Sequence, residues 1–273
     1  MEDTLQGGLR LKGISPLKQP GLPVVSIITV VYNGLSLIEK TIQSVIGQSY
    51  PNIEYIVIDG HSTDGTTEVI KVHEEQISYW ISEPDQGIYD AMNKGLAAAT
   101  GDFVWFMNAG DLIYSDDTLE KVFLNSPGGL IYYGDTMVVD SGYREVGLRR
   151  LRPPEVLTWK SFRKGMLVCH QAILVSREIA EPFDPQYRHS ADFDWVLKAL
   201  KRAEGEGQKE VIINTHLILC AFLDGGHSKQ NIRISLRERF HSMTMHYGFI
   251  PTAIRHIPII LRFGWYFLRN KRF

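Results

Sequence analysis

Within the first 110 residues, four apolar runs rich in β-branched and aromatic residues alternate with three segments of helical spacing. This pattern leaves few folds open. The runs are PVVSIITVVY, IEYIVID, ISYWIS and DFVWFMN, and the segments between them are LSLIEKTIQSVIGQ, TTEVIKVHEE and IYDAMNKGLAAAT. A continuous apolar run is what a strand covered on both faces needs, and apolar residues at Leu35, Ile38, Ile42, Val45 and Ile46 fall on one helical stripe. Three β-α-β steps predict a mostly parallel sheet flanked by helices, an α/β fold. Right-handed crossovers then bring the C-terminal strand ends to one rim, where Asn33, Asp59, Glu83 and Asn108 gather.

After residue 112 the pattern changes. Helix-like DDTLEKVFLN leads to strand-like LIYYGDTMVV and REVGLRRLR, then HQAILVS, the helix ADFDWVLKALKRAEG and the strand EVIINTHLILCAFL. Residues 1–22, with four Gly and two Pro, read as a loose lead-in. Residues 23–228 read as one α/β domain, with halves at 23–112 and 113–228, and 229–273 as a C-terminal extension of two basic amphipathic helices.

Composition narrows the class. The chain has 273 residues, 44% hydrophobic and 22% charged, ordinary values for a folded protein with a core of its own. Cys169 and Cys220 are too few for a disulfide framework and lack metal-type spacing, so a reducing cytoplasm is expected. The first residues lack the apolar core of a secretory signal. Net charge is −2, but from Lys229 onward nine Lys/Arg face one acid, so that tail carries +8 and the remainder −10. A basic tail on an acidic body suggests an anionic surface as partner. No run reaches the length and apolarity of a membrane span.

Asp59, Asp85 and Asp111 each end or follow a strand on the same rim. One such Asp is as readily a turn or cap residue; three at one level point to a polar ligand. Neither a G-x-G-x-x-G turn nor a P-loop is present, so phosphates must be held otherwise, and a divalent cation on carboxylate oxygens is the usual alternative.

The blocks PVVSIITVVYNG, IEYIVIDGHSTDGT and SEPDQGIYDAMNKGLAAATGDFVWFMNAGD resemble family 2 glycosyltransferases of the GT-A fold, especially bacterial enzymes of exopolysaccharide and O-antigen assembly. The resemblance implies inverting transfer of a sugar from a nucleotide-diphosphate donor, UDP favoured, to a hydroxyl of a saccharide or lipid-linked acceptor. By position it implies that Thr29, Val31, Tyr32 and Asn33 line the base and ribose pocket, and that Asp59, with Asp64 nearby, contacts the nucleobase. Asp85, Gln86 and Gly87 would lie by the ribose and diphosphate, with Asn93 and Lys94 turned toward them. Asn108, Ala109, Gly110 and Asp111 match the metal motif, where Gly110 replaces the first of two customary Asp and Asp111 is left to hold Mn²⁺ or Mg²⁺. His227 is a further metal or phosphate contact or, equally, an exposed loop histidine.

The resemblance also makes Asp192, at the head of ADFDWVLKAL, the base that deprotonates the acceptor. Asp194 is turned by about 200° on a helix and reads instead as a charge favourable to the helix dipole. His170 and Gln171 match a short family block and border the acceptor pocket, or His170 makes a core hydrogen bond. The basic stretch 143–165 reads either as a helper to the leaving diphosphate or as a solvated loop. The Arg- and aromatic-rich tail suits the inner face of the cell membrane, or packing against the catalytic domain or a second copy, so a homo-oligomer stays open. Competing readings are a non-catalytic nucleotide-sugar-binding regulatory or scaffold protein on the same fold and a sugar nucleotidyltransferase, whose Gly-rich first loop is missing. A nucleic-acid binder is not expected, because the acidic rim opposes it.

Overall fold

The computed structural model describes residues 4–14, 18–125, 128–205, 211–224 and 232–257. Its elements run β1 (Leu5–Gly7), β2 (Val25–Val31), α1 (Leu35–Ile46), β3 (Ile53–Asp59), α2 (Thr66–Val72), β4 (Tyr79–Ser82), α3 (Ile88–Ala98), β5 (Phe103–Phe106), β6 (Leu112–Ile113) and α4 (Thr118–Asn125). There follow β7 (Ile131–Val139), β8 (Glu145–Leu148), β9 (Ile173–Ser176), α5 (Ala191–Gly205), β10 (Ile212–Leu223) and α6 (Ile232–Tyr247). Among the described residues the strands form one sheet in the order β1-β4-β3-β2-β5-β9-β7-β10-β6, with β8 paired to β7.

The expected parallel half is present: β4, β3, β2 and β5 are parallel neighbours. Every residue of β2 and β5 is buried, as runs covered on both faces require. The stripe on α1 buries Ile38, Ile42 and Val45 against the sheet, although Leu35 at its start is exposed. The second half is mixed. β9 runs antiparallel between β5 and β7, and β10 returns parallel to β7.

That antiparallel insertion decides where the chemistry sits. Because β9 opposes β5, its first residues lie at the C-terminal end of β5. The 3-10 turn His170–Ala172 just before β9 is thereby set beside the loop 107–111 that leaves β5. The indole N–H of Trp105 in β5 donates to the Gln171 carbonyl at 2.8 Å and fixes the turn in place.

The lead-in is not loose throughout. Leu5–Gly7 pairs with β4 as an antiparallel edge strand, and Arg10 donates to Glu54 Oε1 at 2.7 Å and to the Ala98 carbonyl at 3.0 Å. Of the C-terminal extension, α6 and a helical stretch at 249–257 are described; 258–273, which the second basic helix was expected to include, lies outside the described residues. No helix among the described residues is long and apolar enough to cross a membrane.

Candidate active site

At the rim, the turns after β2 and β3 are laced together. The backbone N–H of Asn33 donates to Ser62 Oγ at 2.7 Å, Asn33 Oδ1 accepts from the Thr63 N–H at 2.9 Å, and the Gly34 N–H donates to Thr66 Oγ1 at 3.0 Å. Asp64 accepts from the N–H groups of Leu35 and Thr66 and from the Thr66 hydroxyl. Those hydrogen bonds hold its carboxyl below the usual range. Its work is to close this turn onto the start of α1.

Several residues expected in the nucleotide pocket are turned inward instead. Thr29 is fully buried and shares a hydrogen bond with Tyr55, and Val31 is 6% exposed, because β2 is covered on both faces. Asp59 is fully buried as well. It accepts from Ser82 Oγ at 2.6 Å, Thr67 Oγ1 at 3.0 Å, the Ser62 N–H at 3.1 Å and the Ser62 hydroxyl. With four donors of its own chain on two oxygens, it organises the loop and does not present a free edge to a nucleobase. Asn93 exchanges two hydrogen bonds with the backbone of Phe183, at 2.9 and 2.7 Å, and faces the loop before α5. Lys94 is bound to Glu83 and to the Pro84 carbonyl, both at 2.8 Å, so it shapes the β4–α3 loop.

Tyr32, Asn33, Asp85, Gln86 and Gly87 remain at the rim. Tyr32 is 67% exposed, and Asn33 takes a left-handed backbone with φ +48. Asp85 uses one oxygen to accept from the Gly87 N–H at 2.8 Å. Its other oxygen lies where a Cβ on Gly60 would overlap it, and the same Cβ would stand 3.4 Å from the Tyr32 ring. Gly60 therefore lets the β4–α3 loop and the β2 end meet in one shallow floor.

Asp111, at the end of the turn that follows β5, is 6% exposed. Gln171 Nε2 donates to its Oδ2 at 2.7 Å and the Leu223 N–H to its Oδ1 at 3.1 Å. Burial pushes its carboxyl up to about 6, although the hydrogen bonds from Gln171 and Leu223 pull the other way. Each oxygen keeps a lone pair. Gly110, at the position where an Asp is customary, has φ +100, and a Cβ there would stand 3.2 Å from Leu223 Cδ2. The turn that brings Asp111 under the Leu223 N–H thus favours glycine at 110. Ala109 only closes the loop, its N–H donating to the Val30 carbonyl at 3.2 Å.

Asn108 Nδ2 lies 3.2 Å from His170 Nε2, and its Oδ1 is buried without a hydrogen-bond partner. His170 Nδ1 is in turn 3.3 Å from Asp192 Oδ2, and Tyr89 donates its hydroxyl to Asp192 Oδ1 at 3.1 Å. Burial works against ionising Asp192. The His170 hydrogen bond and the charge of Arg239 outweigh it and hold the carboxyl below its ordinary range. Asp111 and Asp192 are therefore linked through consecutive residues, Gln171 to one and His170 to the other. Asp194 points away, onto Lys198, Ser242 and His246, as its helical offset requires.

Sequence reasoning missed Tyr89 and the second role of Gln171. Tyr89 lies inside the DQGIYDAMNK block, but nothing in the sequence pairs it with a residue 103 positions away. The basic stretch 143–165 is largely committed internally. Arg152 pairs with both oxygens of Asp135, Arg149 donates to the Met166 carbonyl, and Arg163 lies over the stacked rings of Trp159 and Tyr247. His227 lies outside the described residues.

Among the described residues no three His, Cys, Asp or Glu side chains converge on one point. The Asp111 carboxylate and the orphaned Asn108 Oδ1 belong to one turn, in which the Asp111 N–H donates to the Asn108 carbonyl at 2.9 Å. Such a hard, sparse set fits Mg²⁺ or Mn²⁺ completed by substrate phosphates and water.

Comparison with known proteins gives the family. Residues 26–181 match the model of glycosyl transferase family 2. An uncharacterized glycosyltransferase of Mycobacterium tuberculosis is 31% identical, over 92% of this chain and 95% of the relative. A putative teichuronic acid biosynthesis glycosyltransferase of Bacillus subtilis is 29% identical, over 72% of this chain and 80% of its own. The fold is similar to that of S. aureus TarS 1–349 in complex with UDP-GlcNAc, with a TM-score of 0.64 at 17% identity, covering 86% of this chain and 73% of that one; against a longer TarS chain the share of that chain is 40%. The chain belongs to glycosyl transferase family 2, and it is a glycosyltransferase.

Proposed function

We propose that this enzyme is inverting and metal-dependent, and that it moves a sugar from a nucleotide-diphosphate donor, UDP favoured, to a hydroxyl of a saccharide or lipid-linked acceptor in surface polysaccharide assembly. The observation that carries this reading is the pair of carboxylates, Asp111 and Asp192, joined through Gln171 and His170 at one sheet rim. Tyr32, Asn33 and the Asp85–Gly87 turn take the nucleoside and ribose end. Asp111, with Asn108 Oδ1, takes the diphosphate end. A divalent cation, if bound there by Asp111 and Asn108 Oδ1, would supply positive charge beside the leaving diphosphate. Asp192 accepts the acceptor's hydroxyl proton as that oxygen forms its bond to the anomeric carbon from the face opposite the diphosphate. The C–O bond to phosphate breaks, its electron pair leaves with the nucleotide, and one inversion results.

The donor base is inferred from the UDP-GlcNAc bound to TarS, and the pathway from the teichuronic acid role in the name of the Bacillus relative. Placement at the inner face of the cell membrane is inferred from the stretch 249–257, whose Phe249, Ile250, Ile254 and Ile257 are more than half exposed beside Arg255. Apolar burial with attraction to anionic lipid is what surface binding requires.

Calorimetric titration with UDP, with and without Mn²⁺, combined with turnover assays tests the assignment. Asp111→Asn is expected to lose both transfer and the Mn²⁺-dependent part of UDP binding, whereas Asp192→Asn loses transfer and keeps binding. Full activity in either variant overturns the role of the carboxylate it replaces.

A further inference from the structure

His170 is buried and is bracketed by partners whose chemistry fixes its state. One nitrogen faces the Asn108 amide nitrogen at 3.2 Å, the other a carboxylate oxygen of Asp192 at 3.3 Å. A carboxylate only accepts, so Nδ1 must carry a proton, and an amide nitrogen only donates, so Nε2 must present its lone pair. The contacts thus place the hydrogen on Nδ1 and the lone pair on Nε2. In the opposite tautomer both contacts would be mismatched, lone pair against carboxylate and N–H against amide N–H. Asp192 receives a second donor from Tyr89 on its other oxygen, so each oxygen has a partner. The neighbouring Gln171 holds Asp111 in the same way, which cross-links the 108–111 loop to residues 170–171 at two points.

Resting on the glycosyltransferase reading above, we propose that His170 is a positioning residue for the base. Asn108 locks it as the Nδ1–H tautomer, and it aims the Asp192 carboxylate at the acceptor hydroxyl in fixed register with the cation-holding Asp111. Asn108, the first residue of the metal motif, thereby serves two directions at once: Oδ1 toward the diphosphate end and Nδ2 toward the base. An orienting partner behind an acid or base fixes tautomer and direction without touching substrate.

The test has two arms. In the full chain labelled with ¹⁵N-histidine, long-range ¹H–¹⁵N correlation reads the tautomer without any substrate, the His170 signals being those lost in His170→Asn. The expected result is Nδ1–H in the wild type and a shift toward Nε2–H in Asn108→Ala. A wild-type ring with Nε2–H alone, or one protonated on both nitrogens, overturns the proposal. In the kinetic arm, with whichever UDP-sugar the wild type turns over, His170→Ala is expected to lower kcat by about thirtyfold to a hundredfold, with the donor KM held within about threefold. His170→Asn places an amide nitrogen near the lost Nδ1 and should recover about tenfold of that kcat. Equal kcat in the Ala and Asn variants, or wild-type kcat in His170→Ala, sinks the proposal. If no donor is turned over at all, the glycosyltransferase reading fails while the tautomer arm still decides the fate of His170.

Discussion

Asp192 and Asp194 stand two residues apart on α5 and are wired in opposite directions, so replacing each one separates catalysis from stability. Asp194 is 3% exposed and accepts from Ser242 at 2.7 Å and from Lys198 and His246 at 2.8 Å. Burial pushes its carboxyl upward, but these three partners outweigh it and hold the pKa at about 2. A folded-state pKa below the unfolded one means the stabilisation is complete above about pH 4 and is lost as pH falls through about 2. Such a depression is worth about 2 kcal/mol, with little solvent screening at so buried a site. Asp194→Ala should therefore lower the melting temperature at pH 7 by roughly 4–8 °C in a chain of this size. The gap to wild type should close as the pH is taken toward 2. Its kcat at 25 °C should stay within about threefold of wild type, whereas Asp192→Asn should lose at least about a hundredfold with its melting temperature kept. Scanning calorimetry across pH 2–7 and a product-release assay read both. A melting temperature within about 1 °C of wild type for Asp194→Ala, or a kcat loss matching that of Asp192→Asn, refutes the reasoning.

Three further outcomes can be checked. Gly110→Asp, which restores the customary residue, should destabilise by about 1–2 kcal/mol in urea titration, because φ is +100 and Leu223 Cδ2 lies 3.2 Å from the new Cβ. Glu54→Gln should cost about 1–3 kcal/mol and expose the N-terminal strand to limited proteolysis, since Glu54 accepts from Arg10, Ser26 and Thr100. Replacing Phe249, Ile250 and Ile254 together by Ser should weaken co-sedimentation with anionic vesicles by about tenfold or more and leave turnover of a water-soluble acceptor unchanged.

The sheet is legible in the sequence because β2, β3 and β5 are covered on both faces, and such strands must be continuous apolar runs. The same property hides the site. A strand buried on both sides carries no alternation to say which residues reach the rim, and Thr29, Val31 and Asp59, expected to line a pocket, are buried. Asp194 is readable because helical offset is a local rule. The contacts of Asn93 with Phe183, of Tyr89 with Asp192 and of Gln171 with Asp111 join residues 90, 103 and 60 positions apart. Only the antiparallel placement of β9 and the docking of α5 beside α3 create them, and neither has a local signature.

The matched family region ends at residue 181, yet the proposed base lies at 192, beyond it. Asp192 need not drift with the remainder of the chain, because both of its tethers, Tyr89 and His170, lie inside the matched region. The segment that surrounds it is held differently. Glu238 on α6 accepts from the N–H groups of Arg188 and His189, and Ser235 bonds Ser190, so the loop leading to α5 leans on the C-terminal extension. With the proposed base anchored to the matched region and the loop before it held by a separate helix, changes in that helix would leave the distance between Asp192 and Asp111 as it is. Exchanging α6 with that of a relative should therefore change which acceptor is used, in a product assay against a panel of acceptors, and leave donor binding as it was.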